Sequence, residues 1–195
     1  GGIAGRGLEG GEIKFCLSAV KINGELTNNC GTLVGWLTGK TTIYGCVSVA
    51  EMNLAKVDGS DCICRNNANM TAESGRNYFL NQYGSFNTTY CAQASAAALK
   101  SGAVCWALNG RQEDIHWYQT LGTDNYPVPF ATSKQVYAKC DNIDCTGKCT
   151  GDVSYANEPT GCKVADHEYV LGVCEVCGIA QEGFCEEIDG VYQID

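Results

Sequence analysis

A repeat of 30 residues opens the chain and limits the folds available to it. Residues 1–20 align without a gap on residues 31–50, and identical pairs include Gly1 with Gly31, Gly5 with Gly35, Ile13 with Ile43, Cys16 with Cys46 and Ser18 with Ser48. Each copy contains short apolar strands between glycines, which accept the positive φ of tight corners. A unit of about 30 residues cannot bury its own apolar face, whereas stacked coils can. The repeat therefore predicts a mainly β fold, a parallel β-helix or related β-solenoid.

Stacking at this offset places Cys16 beside Cys46, with their backbones about 4.8 Å apart. One interpretation is an interior ladder of reduced thiols, which pack like small hydrophobes. The other is a disulfide between coils. We favour the ladder, because parallel in-register geometry aims the two side chains side by side. Cys30, Cys62 and Cys64 lie near the coil corners and are the better disulfide candidates.

From Cys91 onward the pattern changes to helices and aromatic residues. CAQASAAALK is alanine-rich and predicts a helix, and AVCWALNG predicts a short helical turn that ends at Asn109–Gly110. The open end of a solenoid exposes unpaired backbone, so we predict that this segment caps the stack. The cap would bury the aromatic residues Trp106, Trp117, Tyr118, Tyr126 and Phe130. Alternatively, these aromatic residues form a sugar-stacking platform.

Several short motifs resemble segments of large surface proteins of gut bacteria. GTLVGWLTGKTTIYGCVSV resembles the glycine-rich repeats known as GLUG motifs, and SGAVCWALNG with WYQTLGTDNYPVP resembles segments that follow such repeats. HEYVLGVCEVCG and DGVYQI resemble the next modules in those proteins. The resemblance implies a fragment of a large, repetitive, exported protein with an adhesion or surface-layer role. It brings no catalytic residues, and this chain departs from it in carrying extra cysteines.

Charge and cysteine content indicate where the protein works and which partners it has. The net charge is −9 and the pI about 4.7, so we expect no nucleic-acid partner. No stretch approaches 18 apolar residues, so we expect no membrane span. The 14 cysteines favour an extracellular or cell-surface location. Both ends read as cuts through a longer protein. We expect a monomer whose partner is a glycan or a host surface protein.

The cysteine-rich end predicts a structural zinc site. Cys174 and Cys177 form a Cys-x-x-Cys-Gly motif, the shape of a zinc knuckle, with His167 seven residues upstream of Cys174. A structural zinc needs four ligands. Cys140 opens this segment, at a point where the resembling sequences also carry a cysteine. We therefore predict zinc ligation by Cys140, His167, Cys174 and Cys177.

Other uses of these cysteines remain open. The four cysteines outside the zinc set are Cys145, Cys149, Cys162 and Cys185, an even number that fits two disulfides. The main alternative places the cysteines of this region in disulfides alone and leaves His167 a bystander. A redox pair is less favoured, since Gly178 suits a knuckle better than a helix start. A Cys/His protease is the weakest alternative, because the chain has only two histidines.

We predict four segments. Residues 1–90 form the β-solenoid, 91–139 the helical and aromatic cap, 140–185 the cysteine-rich module, and 186–195 the start of a further module. The favoured function is a non-enzymatic spacer and binding surface. A polysaccharide-acting β-helix enzyme is an alternative, but its acids Glu12, Glu51, Asp58 and Asp61 do not recur at an offset of 30. A carbohydrate-binding module would use Trp36, Trp106 or Trp117.

Overall fold

A computed structural model of the chain shows two compact units. It describes residues 1–24, 29–54, 59–84, 86–110, 115–140, 144, 146, 151–159, 166–170, 173–174 and 176, and the backbone alone of 185–188 and 191–194. The first unit is Gly1–Tyr137 with Tyr155–Glu158, and the second is Ala138–Ser154 with Pro159–Asp195. The fold is mainly β, as predicted. Within the described residues, no helix is long and apolar enough to cross a membrane.

The first unit is built from pairs of short parallel strands. They are β1 (Ala4–Gly7) with β5 (Val34–Leu37), β2 (Gly11–Lys14) with β6 (Thr41–Tyr44), β3 (Leu17–Ser18) with β7 (Val47–Ser48), and β4 (Lys21–Gly24) with β8 (Glu51–Leu54). Ile13 faces Ile43 and Ser18 faces Ser48 as Cα partners. The equivalences read from the repeat are therefore confirmed for these two layers.

A third layer continues the stack with a less regular offset. Isolated parallel bridges join Gly31 to Asp61, Val34 to Cys64, Thr41 to Met70 and Tyr44 to Gly75. A 3-10 turn, Asn67–Asn69, lies between these contacts. Strand β9 (Asn77–Phe79) pairs with β7, and β10 (Cys91–Gln93) pairs with β9, which gives a four-stranded sheet in the order β10-β9-β7-β3.

Corners of successive layers share one backbone conformation. Phe15, Gly45 and Arg76 have φ of 52°, 63° and 50°. Each precedes one member of the column formed by Cys16, Cys46 and Asn77, so the chain enters this column in the same way three times. Gly45 is needed here, because an added Cβ would lie 2.9 Å from the Phe15 ring.

The interior of the stack holds reduced thiols among aliphatic side chains. Cys46 is fully buried, and neither Cys16 nor Cys46 is in a disulfide. The ladder interpretation is therefore confirmed. The expectation that Cys30, Cys62 and Cys64 form disulfides is wrong, since all three are reduced, and Cys62 and Cys64 are also fully buried. Cys64 faces Val34 across its bridge, and the Cys62 thiol donates to the Tyr83 carbonyl at 3.4 Å.

The two expected helices form, but they cover a different surface from the one predicted. They are α1 (Ala96–Lys100), with Ser95 accepting from the Ala98 N–H, and α2 (Ala103–Leu108). Their apolar cluster includes Val47 and contacts Leu17 and Tyr78, which are register partners in successive layers. The helices therefore cover the outer face of the four-stranded sheet. The reason is that this face carries apolar side chains in all three layers.

The aromatic residues of this region divide into buried and exposed sets. Trp117 is fully buried, and Tyr126 packs against the same cluster. Trp106 is half-buried. Phe130 is 58 % exposed, so its predicted burial is wrong. Because Trp117 is fully buried, it cannot serve as a sugar platform.

Short two-stranded sheets make up the remainder. They are β11 (Tyr137–Cys140) with β12 (Val153–Ala156), β13 (Tyr169–Val170) with β14 (Val173–Cys174), and β15 (Cys185–Ile188) with β16 (Val191–Ile194). The last two pairs are antiparallel. The division between the two units runs through β11 and β12. The segment boundaries predicted at 139/140 and 185/186 stay predictions.

Candidate ligand-binding face

The outer face of β1 and β5 presents a tryptophan beside arginines. Val34 and Leu37 of β5 are fully buried, while Trp36 points outward and is 48 % exposed. Arg6 is the register partner of Trp36 in the neighbouring strand, and it is exposed as well. Partners in a ladder lie side by side on one face. The repeat thus places a guanidinium next to an exposed indole.

A second arginine reaches the same tryptophan from the third layer. The Arg65 guanidinium carbon lies 5.5 Å from the centre of the Trp36 ring, within the range of a cation–π interaction. Arg6 is oriented by the bond from its Nε to the Thr38 hydroxyl at 2.9 Å. We call Arg6, Trp36 and Arg65 the Trp36 face.

A polar cavity adjoins the Trp36 face. It has a volume of about 300 Å³, and its polar lining residues are Ser60, Asp61, Arg65, Asn66 and Asn67. Arg65 belongs to both features. The cavity therefore extends the Trp36 face with hydroxyl, amide and carboxyl groups, which are the groups that bind polar ligands in protein pockets.

The asparagines of the 3-10 turn shape this cavity. Asn66 has a left-handed backbone, with φ 58°. The Nδ2 groups of Asn66 and Asn69 both donate to the Leu37 carbonyl, at 3.0 and 3.1 Å. These two bonds fasten the turn to β5, the strand that carries Trp36. Asn67 donates to Asp61 Oδ2 at 3.0 Å and so holds the carboxyl group in place.

Asp61 is a largely buried carboxyl group with an altered pKa. Burial raises the pKa of Asp61 from its ordinary value of 3.8 to about 7, because a charged carboxylate loses hydration. Hydrogen bonds from the Cys62 and Ile63 N–H groups and from Asn67 act in the opposite direction. The group therefore changes charge near neutral pH.

We expect Asp61 to make stability depend on pH between about 4 and 7. Its folded-state pKa lies above the unfolded value, so the stabilising effect is complete below pH 3.8 and is lost as pH rises through about 7. Asp61→Asn should remove this part of the decline, measured as thermal midpoints from pH 4 to 8. Glu51→Gln is the matched control, because it removes an exposed carboxylate that pairs with Lys21. An unchanged decline in Asp61→Asn would contradict the assignment.

The acids proposed for an enzymatic function are scattered. Glu12 pairs with Lys14 at 3.0 Å and Glu51 with Lys21 at 2.9 Å. Asp58 lies outside the described residues. Asp61 supplies the one carboxyl group among the described residues that line the cavity. Most glycoside hydrolases use a pair of carboxyl groups, so the described part of this cavity holds half of such a set.

The structure describes three of the four predicted zinc ligands, namely Cys140, His167 and Cys174. Cys140 ends β11 and is disulfide-bonded, and a sulfur in a disulfide is not the thiolate that zinc requires. Cys174 is buried and reduced in β14, where it faces Tyr169. The His167 ring lies 5.7 Å from the Tyr169 ring, so His167 and Cys174 belong to one hairpin region. Cys177 lies outside the described residues, as do Cys145, Cys149 and Cys162.

The described residues contain no cluster of three metal-ligating side chains. Because Cys177 is outside this set, the predicted zinc site stays a prediction. The disulfide at Cys140 agrees with the alternative interpretation for that one residue.

We expect the thiols of the stack to differ strongly in reactivity. The hydrogen bond with Cys46 lowers the pKa of the half-buried Cys16 to about 7, whereas burial raises the pKa of Cys62 to about 11. Iodoacetamide at neutral pH should therefore alkylate Cys16 well before Cys46, Cys62 and Cys64. Peptide mass spectrometry before and after urea denaturation measures this order. Alkylation of Cys62 or Cys64 in the folded protein as fast as that of Cys16 would contradict this order.

No protein-family model, curated protein or solved structure matches this chain in the three comparisons made. The Trp36 face and its cavity are therefore the features of this chain that indicate a function.

Sequence reasoning found Trp36 as one of three tryptophans for a sugar platform but missed its neighbours. The signal for Arg6 was present, because residues 6 and 36 are equivalent in the repeat. Arg65 and Asn67 gave no such signal, since residues 61–67 share no identical residue with 31–37, although the bridges Gly31–Asp61 and Val34–Cys64 keep the offset of 30.

Proposed function

We propose that this chain is a non-enzymatic part of a bacterial cell-surface protein of the adhesin type. It acts there as a spacer and as a binding surface. The observation that carries this proposal is the exposed Trp36 face on a stack of parallel strands in register. Strands locked in register give a stiff body, and the exposed indole offers a place for a partner to bind.

We infer that the stacked parallel strands form a β-solenoid and that the helix pair covers one of its sides. Two observations support this: each of the first four strands pairs with an equivalent strand one repeat later, and equivalent positions face the same core. Ile13 packs against the interior cluster that contains Ile43. In such a fold, each repeat buries the apolar face of its neighbour.

The GLUG-type resemblance supports an extracellular surface protein, and we propose that it is monomeric. Its expected partner is a glycan or a host surface protein. Nucleic acid is not proposed, because a net charge of −9 repels a phosphate backbone.

A structural zinc in the cysteine-rich module is part of the same proposal. Because Cys140 is disulfide-bonded, we expect zinc to bind only after reduction. Elemental analysis of the reduced protein should then give about one zinc per chain, and Cys174→Ser should lose it. Zinc-free reduced protein would favour the disulfide scaffold. Cys105→Ser is the control, since this buried cysteine belongs to the helix pair.

An adhesion assay combined with an activity assay tests the proposed function. Fluorescent beads coated with the protein should be retained on mucin-coated glass under flow, while beads coated with albumin are washed away. The same protein, incubated with soluble polysaccharides, should release no new reducing ends and no unsaturated products. Retention without cleavage is the expected result. Loss of retention would overturn the binding role.

Two alternatives have one favourable observation each. A carbohydrate-binding module is favoured by the exposure of Trp36, 48 % of whose surface is open to solvent. A polysaccharide-acting enzyme is favoured by the raised pKa of Asp61 beside Arg65 in one cavity. Product release that disappears in Asp61→Asn would establish the enzyme.

A further inference from the structure

We propose that the Trp36 face binds an acidic saccharide that contains uronic acid residues. A sugar ring lies on the exposed indole, and the uronate carboxylate pairs with the guanidinium groups of Arg6 and Arg65. This inference rests on the proposed function and names the ligand class of its binding surface.

The indole supplies the contact for the sugar ring. Trp36 is 48 % exposed although it lies in a strand whose neighbours Val34 and Leu37 are fully buried. A tryptophan ring combines a large apolar surface with a rigid side chain, so it loses little conformational entropy on binding. The C–H groups of a pyranose ring fit such a flat surface.

Arginines supply the charge that selects an acidic sugar. The chain has 13 lysines and arginines against 22 aspartates and glutamates, yet two arginines meet at one tryptophan. The ion pairs among the described residues are Lys14–Glu12 and Lys21–Glu51. Among the residues that the structure describes, neither Arg6 nor Arg65 has a carboxylate partner. A guanidinium group binds a carboxylate through two parallel hydrogen bonds.

The adjoining cavity gives room for the next sugar of a chain. Its volume of about 300 Å³ and its lining of Ser60, Asn66 and Asn67 suit a hydroxyl-rich unit. Asp61 lies in the same lining, and its negative charge opposes an anionic ligand. Since burial raises the pKa of Asp61 to about 7, binding should strengthen as the pH falls from 8 to 6.

Titration calorimetry with tetragalacturonate tests this inference, and the fully methyl-esterified tetramer serves as the uncharged control. We expect the tetragalacturonate to bind and the ester to bind at least about tenfold more weakly, the effect of losing one charge-assisted hydrogen bond. Trp36→Ala and Arg65→Gln should each weaken binding by about tenfold or more. Thermal unfolding checks that the substitutions at the exposed Trp36 and the half-buried Arg65 leave the fold intact.

Arg76→Gln is the matched control variant. Arg76 also lies over an aromatic ring, with its guanidinium carbon 5.8 Å from the centre of Tyr44, and its loss changes the net charge by the same amount. We expect this variant to bind within about twofold of the wild type. Equal weakening in Arg76→Gln and Arg65→Gln would show a general charge effect and overturn the site.

Three results separate this inference from the proposed function. Absence of tetragalacturonate binding, or equal binding of acid and ester, overturns the acidic-saccharide site. Retention of beads on polygalacturonate-coated glass by the Trp36→Ala protein, at the wild-type level, also overturns the site but leaves the adhesin role standing, since that role is tested on mucin. Absence of retention for the wild type overturns that role, whatever the calorimetry shows.

Discussion

Trp117→Ala should destabilise the protein by about 3–5 kcal/mol, the cost of removing a large aromatic side chain from a packed core. Trp117 is fully buried in the cluster that joins α1 and α2 to β7. Its indole N–H donates to the Gly45 carbonyl at 2.9 Å. The substitution therefore leaves both a cavity and an unpaired carbonyl group. Urea denaturation followed by far-ultraviolet circular dichroism measures the loss.

Two companion variants separate the causes of this loss. Trp117→Phe keeps most of the ring and removes the N–H, so it should cost clearly less than the alanine variant. Trp36→Ala removes an exposed tryptophan and should cost about 1 kcal/mol or less, the worth of one exposed cation–π contact. Equal losses for Trp117→Ala and Trp36→Ala would contradict the placement of Trp117 as the centre of this cluster.

Asn77→Ala should cost about 2–4 kcal/mol, because it leaves buried backbone groups without partners. Asn77 is 1 % exposed. Its Oδ1 accepts from the Cys46 N–H at 3.0 Å, and its Nδ2 donates to the carbonyls of Ile43 and Tyr90 at 2.8 and 3.0 Å. The side chain thus replaces backbone bonds where the register changes between the second and third layers. Urea denaturation again gives the value.

Asn53→Ala is the control for this variant. The Asn53 amide donates to Asn23 at 2.9 Å on the exposed side of the stack, where water can replace the lost bond. We expect a change within about 0.5 kcal/mol. Asn77→Asp keeps the acceptor and loses the donors, so its cost should approach that of alanine. A loss at Asn53 as large as the loss at Asn77 would contradict the role assigned to the buried amide.

The first two layers could be predicted from the sequence because their repeat has a constant offset. Ile13 faces Ile43 and Ser18 faces Ser48, as the gapless alignment requires. In the third layer, Thr41 pairs with Met70 and Tyr44 with Gly75. The offset therefore falls to 29 and rises to 31, and no single alignment shift reveals this layer.

The candidate site was hard to predict for the same reason. Arg65, Asn67 and Asp61 belong to the third layer, and their meeting depends on the left-handed conformation at Asn66. Asparagine tolerates that conformation better than most residues, but an asparagine in the sequence does not by itself predict a left-handed backbone. Trp36 lies in the regular part of the stack, but its exposure does not follow from strict alternation, since Val34, two residues earlier, is fully buried.

The position of the helices was predicted wrongly because the sequence shows composition and not surfaces. Alanine-rich segments form helices in many contexts. What decides their position is the outer face of β3, β7 and β9, where Leu17 and Tyr78 flank Val47. Leu17, Val47 and Tyr78 become neighbours only through the pairing of these three strands.

The measurement that tests the central claim most directly is the strand register in solution. Nuclear Overhauser effects in a uniformly ¹³C,¹⁵N-labelled sample should connect backbone protons of Ile13 with those of Ile43, and Val47 with Tyr78. These contacts are the pattern of parallel strands one layer apart, which brings Arg6 to Trp36. Contacts that instead join β2 to β3 as an antiparallel hairpin would contradict the stack and remove the basis of the Trp36 face.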